Sequence, residues 1–414
     1  MRIAPEAPKE IKKRANAQTV IQERKYELIT PLFGGGVEPG HADPVTVIRG
    51  TEIRGHLRFW WRAARGGEFN GSLSAMKDAE DLLWGAASSE DKPRPSQVHV
   101  VVDVGQQHRG EPMGAQESSP VYEMRSPYGY VSFPLRESQG DLLKSVKFTL
   151  SIRFPEEFKA DVEAALWAWE MFGGIGARTR RGCGALRLLN VNNVAAQEFP
   201  ENAEVIKNRI TEQLAGFVST GTWPVGVPHL SRSLAFKVTT PAPSPLHAWR
   251  NLIAALKTFR QQRNAGSAPN RPGRSKWPEP DAIRRLTRTA EQHSTPLSSI
   301  DKFPRAAFGL PIIFKFKDDK IGDPPQTTLR GADSDRLASR LILRPLACGG
   351  EQGVGLAIIL EAPSMPPGGL VLDGAPRNPS VQSDLTVSEA ATIAPLSHPA
   401  PPEPDVLKAF LRTL

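Results

Sequence analysis

The chain has 414 residues, 39% of them hydrophobic and 23% charged, with a net charge of +8 and a pI near 9.5. This composition excludes a disordered or collagen-like chain, no apolar run reaches the ~18 residues of a membrane span, and Cys183 and Cys348 are too few for a disulfide framework. The basic excess points to an anionic partner such as nucleic acid, while the cysteine usage and an N-terminus without an apolar signal core point to a reducing cytoplasm.

Taken in chain order, residues 25–30 (KYELIT) alternate as a strand does and lead into a turn-rich loop, PLFGGGVEPG. Residues 51–65 have helical spacing, with Thr51 as N-cap, Glu52 in the first turn and Gly66-Gly67 as the stop. Residues 98–104 and 146–154 are rich in β-branched residues and alternate, so both read as strands. Between 158 and 172, Val162, Leu166, Trp169 and Phe172 form a helical apolar stripe that Gly173-Gly174 ends, and residues 186–191 supply a closing strand. The order β-α-β-β-α-β predicts a ferredoxin-like unit.

The second half repeats this more weakly. Residues 234–239 read as a strand, 246–263 and 283–292 as helices, and 311–317, 341–346 and 354–360 as strands. The expected fold is α+β, with two tandem ferredoxin-like (RRM-like, βαββαβ) domains over residues 20–195 and 229–361, the second degenerate. Residues 195–228 and 264–280 read as linkers. Residues 362–414 read as a Pro/Gly-rich loop ending in a short amphipathic helix over 406–414.

Positive charge is concentrated in three places. Arg54, Arg58, Arg62 and Arg65 are spaced to share one face of the first helix, beside an apolar stripe containing Ile53, Leu57, Trp60, Trp61 and Ala64. Only Glu52 is near in sequence, so either acids from another element or phosphates must neutralise this row. The second patch, FGGIGARTRRGCGALR at 172–187, holds Arg178, Arg180, Arg181 and Arg187 with five glycines and no acid. Glycine lets backbone N–H groups turn outward and another chain come close, which suits a clamp on a sugar–phosphate chain. It is no P-loop, since no Gly-Lys-Ser/Thr follows and the loop comes after a helix and before a strand; the same order excludes a dinucleotide fingerprint. RGCGALRL follows the skeleton of an RNP1 motif, but Cys183, Ala185 and Leu188 replace its aromatics, leaving Trp60 or Trp61 as the candidate for base stacking. The third region, 250–290, carries ten Lys or Arg and two acids, with Arg260 and Arg263 at the start of a loop-like stretch.

Five segments together resemble a known family: TPLFGGG at 30–36, IRGTEIRGHLRFWWR at 48–62, the glycine loop at 173–184, FGLPIIF at 308–314 and LASRLILRPL at 337–346. They are similar to the RAMP superfamily of CRISPR effector proteins and, within it, to first subunits of the type III-B Cmr complex, over about residues 25–361. The resemblance implies two fused ferredoxin-like domains in an antiviral ribonucleoprotein, with guide RNA (crRNA), target RNA and other Cmr subunits as partners, contact with the 3′ region of the guide, no cofactor and no membrane. It places Arg49, Arg54, Arg58, Arg62, Arg178, Thr179, Arg180 and Arg181 along the RNA path, and Gly34, Gly35 and Gly36 in the same cleft. Trp61, Gly173, Gly174 and Gly176 complete the expected site, with Arg260 and Arg263 as secondary contacts. Cys183 stands where this loop commonly has an aromatic.

Two other readings remain open on sequence. Some RAMP relatives cleave RNA without metal through a histidine, and His56 lies inside the arginine helix; no second base has a defined spacing to it, and the histidines lack metal-ligand spacing. Asp43 is a lone loop acid. The alternative to catalysis or RNA binding is a scaffold whose arginines pair with acids of partner subunits. The expectation is a non-catalytic RNA-binding subunit.

Overall fold

The computed structural model describes residues 18–36, 38, 40–43, 45–86, 94–114, 120–266, 273–289, 298–316 and 322–414. The chain runs β1 (Thr19–Leu28), β2 (Leu32–Phe33), α1 (Gly50–Arg65), α2 (Leu73–Trp84), β3 (His99–Asp103), β4 (Arg109–Pro112), α3 (Gly129–Ser132), α4 (Leu135–Ser138), β5 (Leu142–Pro155), α5 (Lys159–Phe172), β6 (Leu186–Val191) and β7 (Val194–Ala195). It continues with α6 (Ala203–Phe217), β8 (Ala235–Val238), α7 (Pro245–Arg260), α8 (Glu279–Thr287), β9 (Ile312–Phe314), β10 (Thr327–Gly331), β11 (Leu341–Ala347), β12 (Gly353–Ile359), β13 (Leu370–Asp373), β14 (Ser380–Val381), α9 (Val387–Thr392), α10 (Ala394–Ser397) and α11 (Val406–Arg412). It is a mixed α/β protein with antiparallel sheets.

In the first half the sheet runs β3-β5-β1-β6, every pair antiparallel. Its period-two alternation sends Val146, Phe148, Leu150, Ile152 and Phe154 of β5 to one face with Tyr26 and Leu28 of β1. Helices α1 and α5 cover that face, α1 through Ile53, Leu57, Trp60 and Trp61, α5 through Val162, Leu166, Trp169 and Phe172. Thr51 is not the cap of α1: the helix starts one residue earlier, with Arg49 at the cap position and no side-chain cap bond. Nor do Gly66 and Gly67 simply stop it. The chain goes on as a 3-10 turn, and a Cβ at either glycine would strike the Trp223 ring at 2.8 and 2.7 Å, so these positions are glycine for close packing.

The second half contains β8-α7-β11-β12 with sheet order β11-β12-β8, and α7 packs on it through Leu252, Leu256 and Phe259. The strand expected over 311–317 forms only at β9 and belongs to a separate sheet, β14-β13-β10-β9, where it is an edge strand; Lys317 lies outside the described residues. Residues 362–404 are not a loop. They build β13 and β14 of that sheet and helices α9 and α10, because Leu370 and Leu372 alternate into its core and Thr386 with Glu389 forms a capping box. The stretch 195–228 is not only a linker either: Asn202 caps α6, whose Ile206, Ile210 and Leu214 join the main core. The helix expected over 283–292 runs instead from Glu279 to Thr287, and Arg288 in the left-handed region ends it; residues 290–292 lie outside the described part.

The two halves share their cores. Ile342, Leu346, Val354, Leu356 and Ile358 of β11 and β12 lie in one cluster with Tyr26, Trp169 and Phe172. Phe33, Leu142 and Cys183 pack with Trp249 and Ile253 of α7 in another. The seam between the halves runs along the glycine-rich loop.

Candidate nucleic-acid interface

After α5 the chain turns back at Gly173 and Gly174 and folds on itself. Ile175 N–H donates to Gly184 O at 3.0 Å, Ala177 N–H to Phe33 O at 2.8 Å and Gly184 N–H to Pro31 O at 2.8 Å. The Thr30 hydroxyl donates to Gly182 O at 2.6 Å and accepts from Ala185 N–H at 2.8 Å. Gly176 N–H donates to Glu52 Oε1 at 2.7 Å, which ties the loop to the first turn of α1. The TPLFGGG segment and the glycine loop are therefore one structure. A Cβ at Gly184, which has φ +61°, would come within 2.0 Å of Ile175 O, and at Gly176 within 2.8 Å of Phe33 O. These glycines permit backbone to pack on backbone.

The loop arginines divide by direction. Arg181 turns into the seam, donating to Phe308 O at 2.7 Å and Leu341 O at 3.2 Å. Arg180 donates to Ser339 O and lies over the Phe59 ring. Arg344 of β11 reaches the other way to Trp169, Gly173 and Leu186 carbonyls and is fully buried. Thr179 starts the short 3-10 turn over 179–181 and accepts from Gly182 N–H at 2.9 Å. Arg187, expected in the same cationic patch, is paired with Glu27 at 3.1 Å and with Glu198. Arg178 has no hydrogen-bond or ion-pair partner for its guanidinium among the described residues. It has φ +58°, and its guanidinium carbon lies 5.0 Å from the Phe133 ring and 5.7 Å from that of Phe33.

Arg178, Arg181 and Arg260 come together with Arg305 in a cleft of about 560 Å³, walled by Tyr130, Phe133, Phe308 and residues 309–314. No acid lines it among the described residues. Glu279, fully buried, is held by Arg305, Nε to Oε1 at 3.1 Å. Arg260 donates to the Tyr130 hydroxyl at 2.8 Å, and its Nε is buried with no hydrogen-bond partner. Burial, and after it repulsion from Arg260, pushes the Arg181 guanidinium down to about 9, with Arg178 and Arg180 adding to the effect. Burial also lowers Arg178 and Arg180. The protonated cluster is held at electrostatic cost, and an anion in the cleft would relieve it. Arg305, Tyr130 and Phe133 carried no signal of their own in the sequence. Arg178, Arg181 and Arg260 were expected from the sequence, and the FGLP segment forms one wall of the cleft.

The α1 row is different. Arg58 donates to Glu80 Oε1 at 2.7 Å and to Gly85 O at 2.8 Å, Arg62 reaches the same Glu80 oxygen at 2.5 Å, and Arg65 pairs with Glu68 and with Asp161 at 3.5 Å. The acids come from α2, the 3-10 turn and α5, so three of the four arginines are neutralised inside the chain. Arg54 has no hydrogen-bond or ion-pair partner among the described residues, and its Nε is buried. Arg49 donates to Gly35 O and so ties the Gly34–Gly36 loop to the start of α1. Trp61 is not a stacking platform. It is 2% exposed and its indole N–H is given to Asp161 at 2.8 Å; Trp60, 3% exposed, packs on Phe172. Arg263 is exposed, donating to Gly273 O at 3.3 Å.

His56 Nε2 lies 3.6 Å from Glu52 Oε1, the oxygen already engaged by the glycine loop. Asp43 accepts from Val45 and Thr46 N–H groups, which lowers its carboxyl and makes it a turn residue. No group of three His, Cys, Asp or Glu able to hold a metal exists among the described residues. Cys183 and Cys348 are both free, and burial pushes the Cys183 thiol up to about 12, so it stays protonated. No helix among the described residues is long and apolar enough to cross a membrane.

Residues 25–187 match the model of the RAMP superfamily. Two curated sequences of Pyrococcus furiosus are similar. "CRISPR system Cmr subunit Cmr1-2" is 28% identical over 178 residues, 39% of this chain and 91% of the relative. "CRISPR system Cmr subunit Cmr1-1" is 21% identical over 160 residues, 37% and 44% of the two chains. Among solved structures, the apo crystal structure of Cmr1 from Pyrococcus furiosus covers 85% of this chain and 94% of its own, at 16% identity and a TM-score of 0.49. A chain of the cryo-EM structure of the type III-B Cmr-beta bound to cognate target RNA covers 94% and 99%, at 13% identity and a TM-score of 0.48.

Proposed function

From a chain whose residues 25–187 match the RAMP superfamily and which is similar to Cmr1 subunits, we propose an RNA-binding subunit of a type III-B Cmr ribonucleoprotein. In this reading it works in the cytoplasm beside other Cmr subunits, contacts the 3′ region of the guide RNA and helps capture complementary target RNA. Two tandem ferredoxin-like halves, 20–195 and 229–361, form the frame, with 362–414 completing the sheet and core of the second, and the RNA lies in the seam between them. The observation that carries the reading is the acid-free cleft in which Arg178, Arg181, Arg260 and Arg305 converge. Arg181 both bridges the halves and supplies field to the cleft, while Arg178 and Arg260 are the arginines freest to turn toward phosphate. Arg54 extends the path along α1, and Arg49, Gly34, Gly35, Gly36, Gly173, Gly174, Gly176, Thr179 and Arg180 shape it. Arg58 and Arg62 are held by Glu80 and contribute to the fold of α1 and α2.

The chain is proposed to be non-catalytic. The test is binding of labelled single-stranded RNA over a salt series, with the products run on a denaturing gel. Neutralising three or four phosphates gives a slope of log affinity against log salt of about −2 to −3. The Arg178→Gln/Arg260→Gln pair should weaken binding and flatten that slope by about one unit, and RNA should be recovered intact. RNA cut by wild type and spared by His56→Ala would make the protein an endoribonuclease. Absence of RNA affinity at low salt would leave a protein scaffold.

A further inference from the structure

We infer that the cleft holds one unstacked nucleotide within a single-stranded RNA chain, its base on the open face of Phe133 and its flanking phosphates at Arg178 and Arg260. The inference rests on the RNA-binding reading above and adds the unit that is bound. Phe133 is 52% exposed, although it stands in the wall of a cleft between two short helices, α3 and α4. The Arg178 guanidinium lies over its ring at 5.0 Å, which occupies one face and leaves the other for a π-surface. A cation-backed aromatic ring beside a positive groove is how single strands are held without reading their sequence.

The remaining groups suit the rest of a nucleotide. The Tyr130 hydroxyl accepts from Arg260, so its own proton is free to donate to a base edge or a phosphate oxygen. Among the described residues Arg260 Nε is buried without a hydrogen-bond acceptor, so its burial costs free energy that a nearby phosphate charge would offset. The volume, about 560 Å³, falls in the range of sites that take one small ligand. Four guanidiniums less the Glu279 carboxylate leave a surplus of about three positive charges, enough for the two phosphodiesters that flank a nucleotide in a chain; a terminal phosphate carries nearly the same charge, so competition by AMP separates the two occupants.

The experiment uses the full chain, a short labelled single-stranded RNA of mixed sequence, and AMP as competitor. Phe133→Ala should weaken RNA binding about tenfold with the salt slope unchanged, because a base contact and no phosphate contact is lost. Phe133→Trp should restore affinity, and the emission of the added indole should be quenched when RNA is bound. Phe133 is half-exposed, so both variants should melt with the wild type. Unchanged affinity in Phe133→Ala, with Arg178→Gln/Arg260→Gln still weakened, would overturn the base platform and leave the phosphate site. Unchanged affinity in all variants would overturn the cleft as the RNA site. AMP competing as well as the RNA would overturn a chain nucleotide as the occupant.

Discussion

Trp61 and Arg178 reverse the weight that sequence spacing gives them. Two adjacent tryptophans on a helix suggest that one faces out, since a single core stripe cannot take both squarely. Here α1 is covered on two sides: Trp60 packs on Phe172 of α5, and Trp61 on Phe69 of the turn before α2. Nothing in residues 48–67 reveals that second cover. Trp61→Phe keeps most of the apolar contact but abandons the charge-assisted bond to Asp161, a half-buried carboxylate that retains Arg65 as a partner. It should cost about 1–3 kcal/mol in urea unfolding and leave RNA affinity unchanged; lost affinity at unchanged stability would put Trp61 on the RNA after all. Arg178 and Arg181, three residues apart, look equivalent in sequence. Their difference comes from the left-handed backbone at Arg178 and from carbonyls of Phe308 and Leu341, far along the chain.

Among the elements, the glycine loop was legible as a special backbone, and the reason for its glycines was not. The sequence suggested N–H groups turned toward a phosphate. In the structure those groups are spent on Phe33, Pro31, Gly184 and Glu52, so the backbone holds the seam and side chains are left to meet the ligand. Gly184→Ala places a methyl 2.0 Å from Ile175 O at φ +61° and should cost about 2–4 kcal/mol, with RNA affinity falling as Arg178 and Arg181 are displaced. Gly226→Ala, with φ +85° and open space around it, should cost only about 1 kcal/mol. Thermal melts of the two variants decide: equal losses would mean that backbone conformation alone, and not the close approach, fixes Gly184. In the first half β1, α1, β3, β5, α5 and β6 were readable because β1 and β5 are long and alternate and α1 and α5 carry apolar stripes, while α2, β4, α3 and α4 between them were not. Helix α6 has a narrow but regular stripe, Ile206, Ile210 and Leu214, among mostly polar residues, whereas the small sheet with β13 and β14 escaped because strands of two to four residues among prolines and glycines carry little periodicity.

For the whole molecule, the expectation of two domains in tandem suggests two folding units, yet the packing argues for one. The strands β11 and β12 complete the core under α5, and three buried or half-buried arginines cross the seam to carbonyls: Arg180 and Arg181 from the first half, Arg344 from the second. Burial pushes Arg344 down to about 9. It remains in place because it donates to the Trp169, Gly173 and Leu186 carbonyls, the first of which also accepts from Gly173 N–H. Arg344→Leu fills a similar volume but takes these buried donors away, at about 1–3 kcal/mol for a carbonyl left without a partner. In the wild type, amide hydrogen exchange of β1, β5 and β12 should be governed by one global opening. In Arg344→Leu, β12 and β8 should exchange at a lower free energy than β1 and β5, with RNA affinity reduced because the cleft walls come from both halves. Uniform exchange in the variant, with both sheets weakened by the same amount, would mean that the shared apolar core couples the halves and that the arginines crossing the seam serve only to set the width of the cleft.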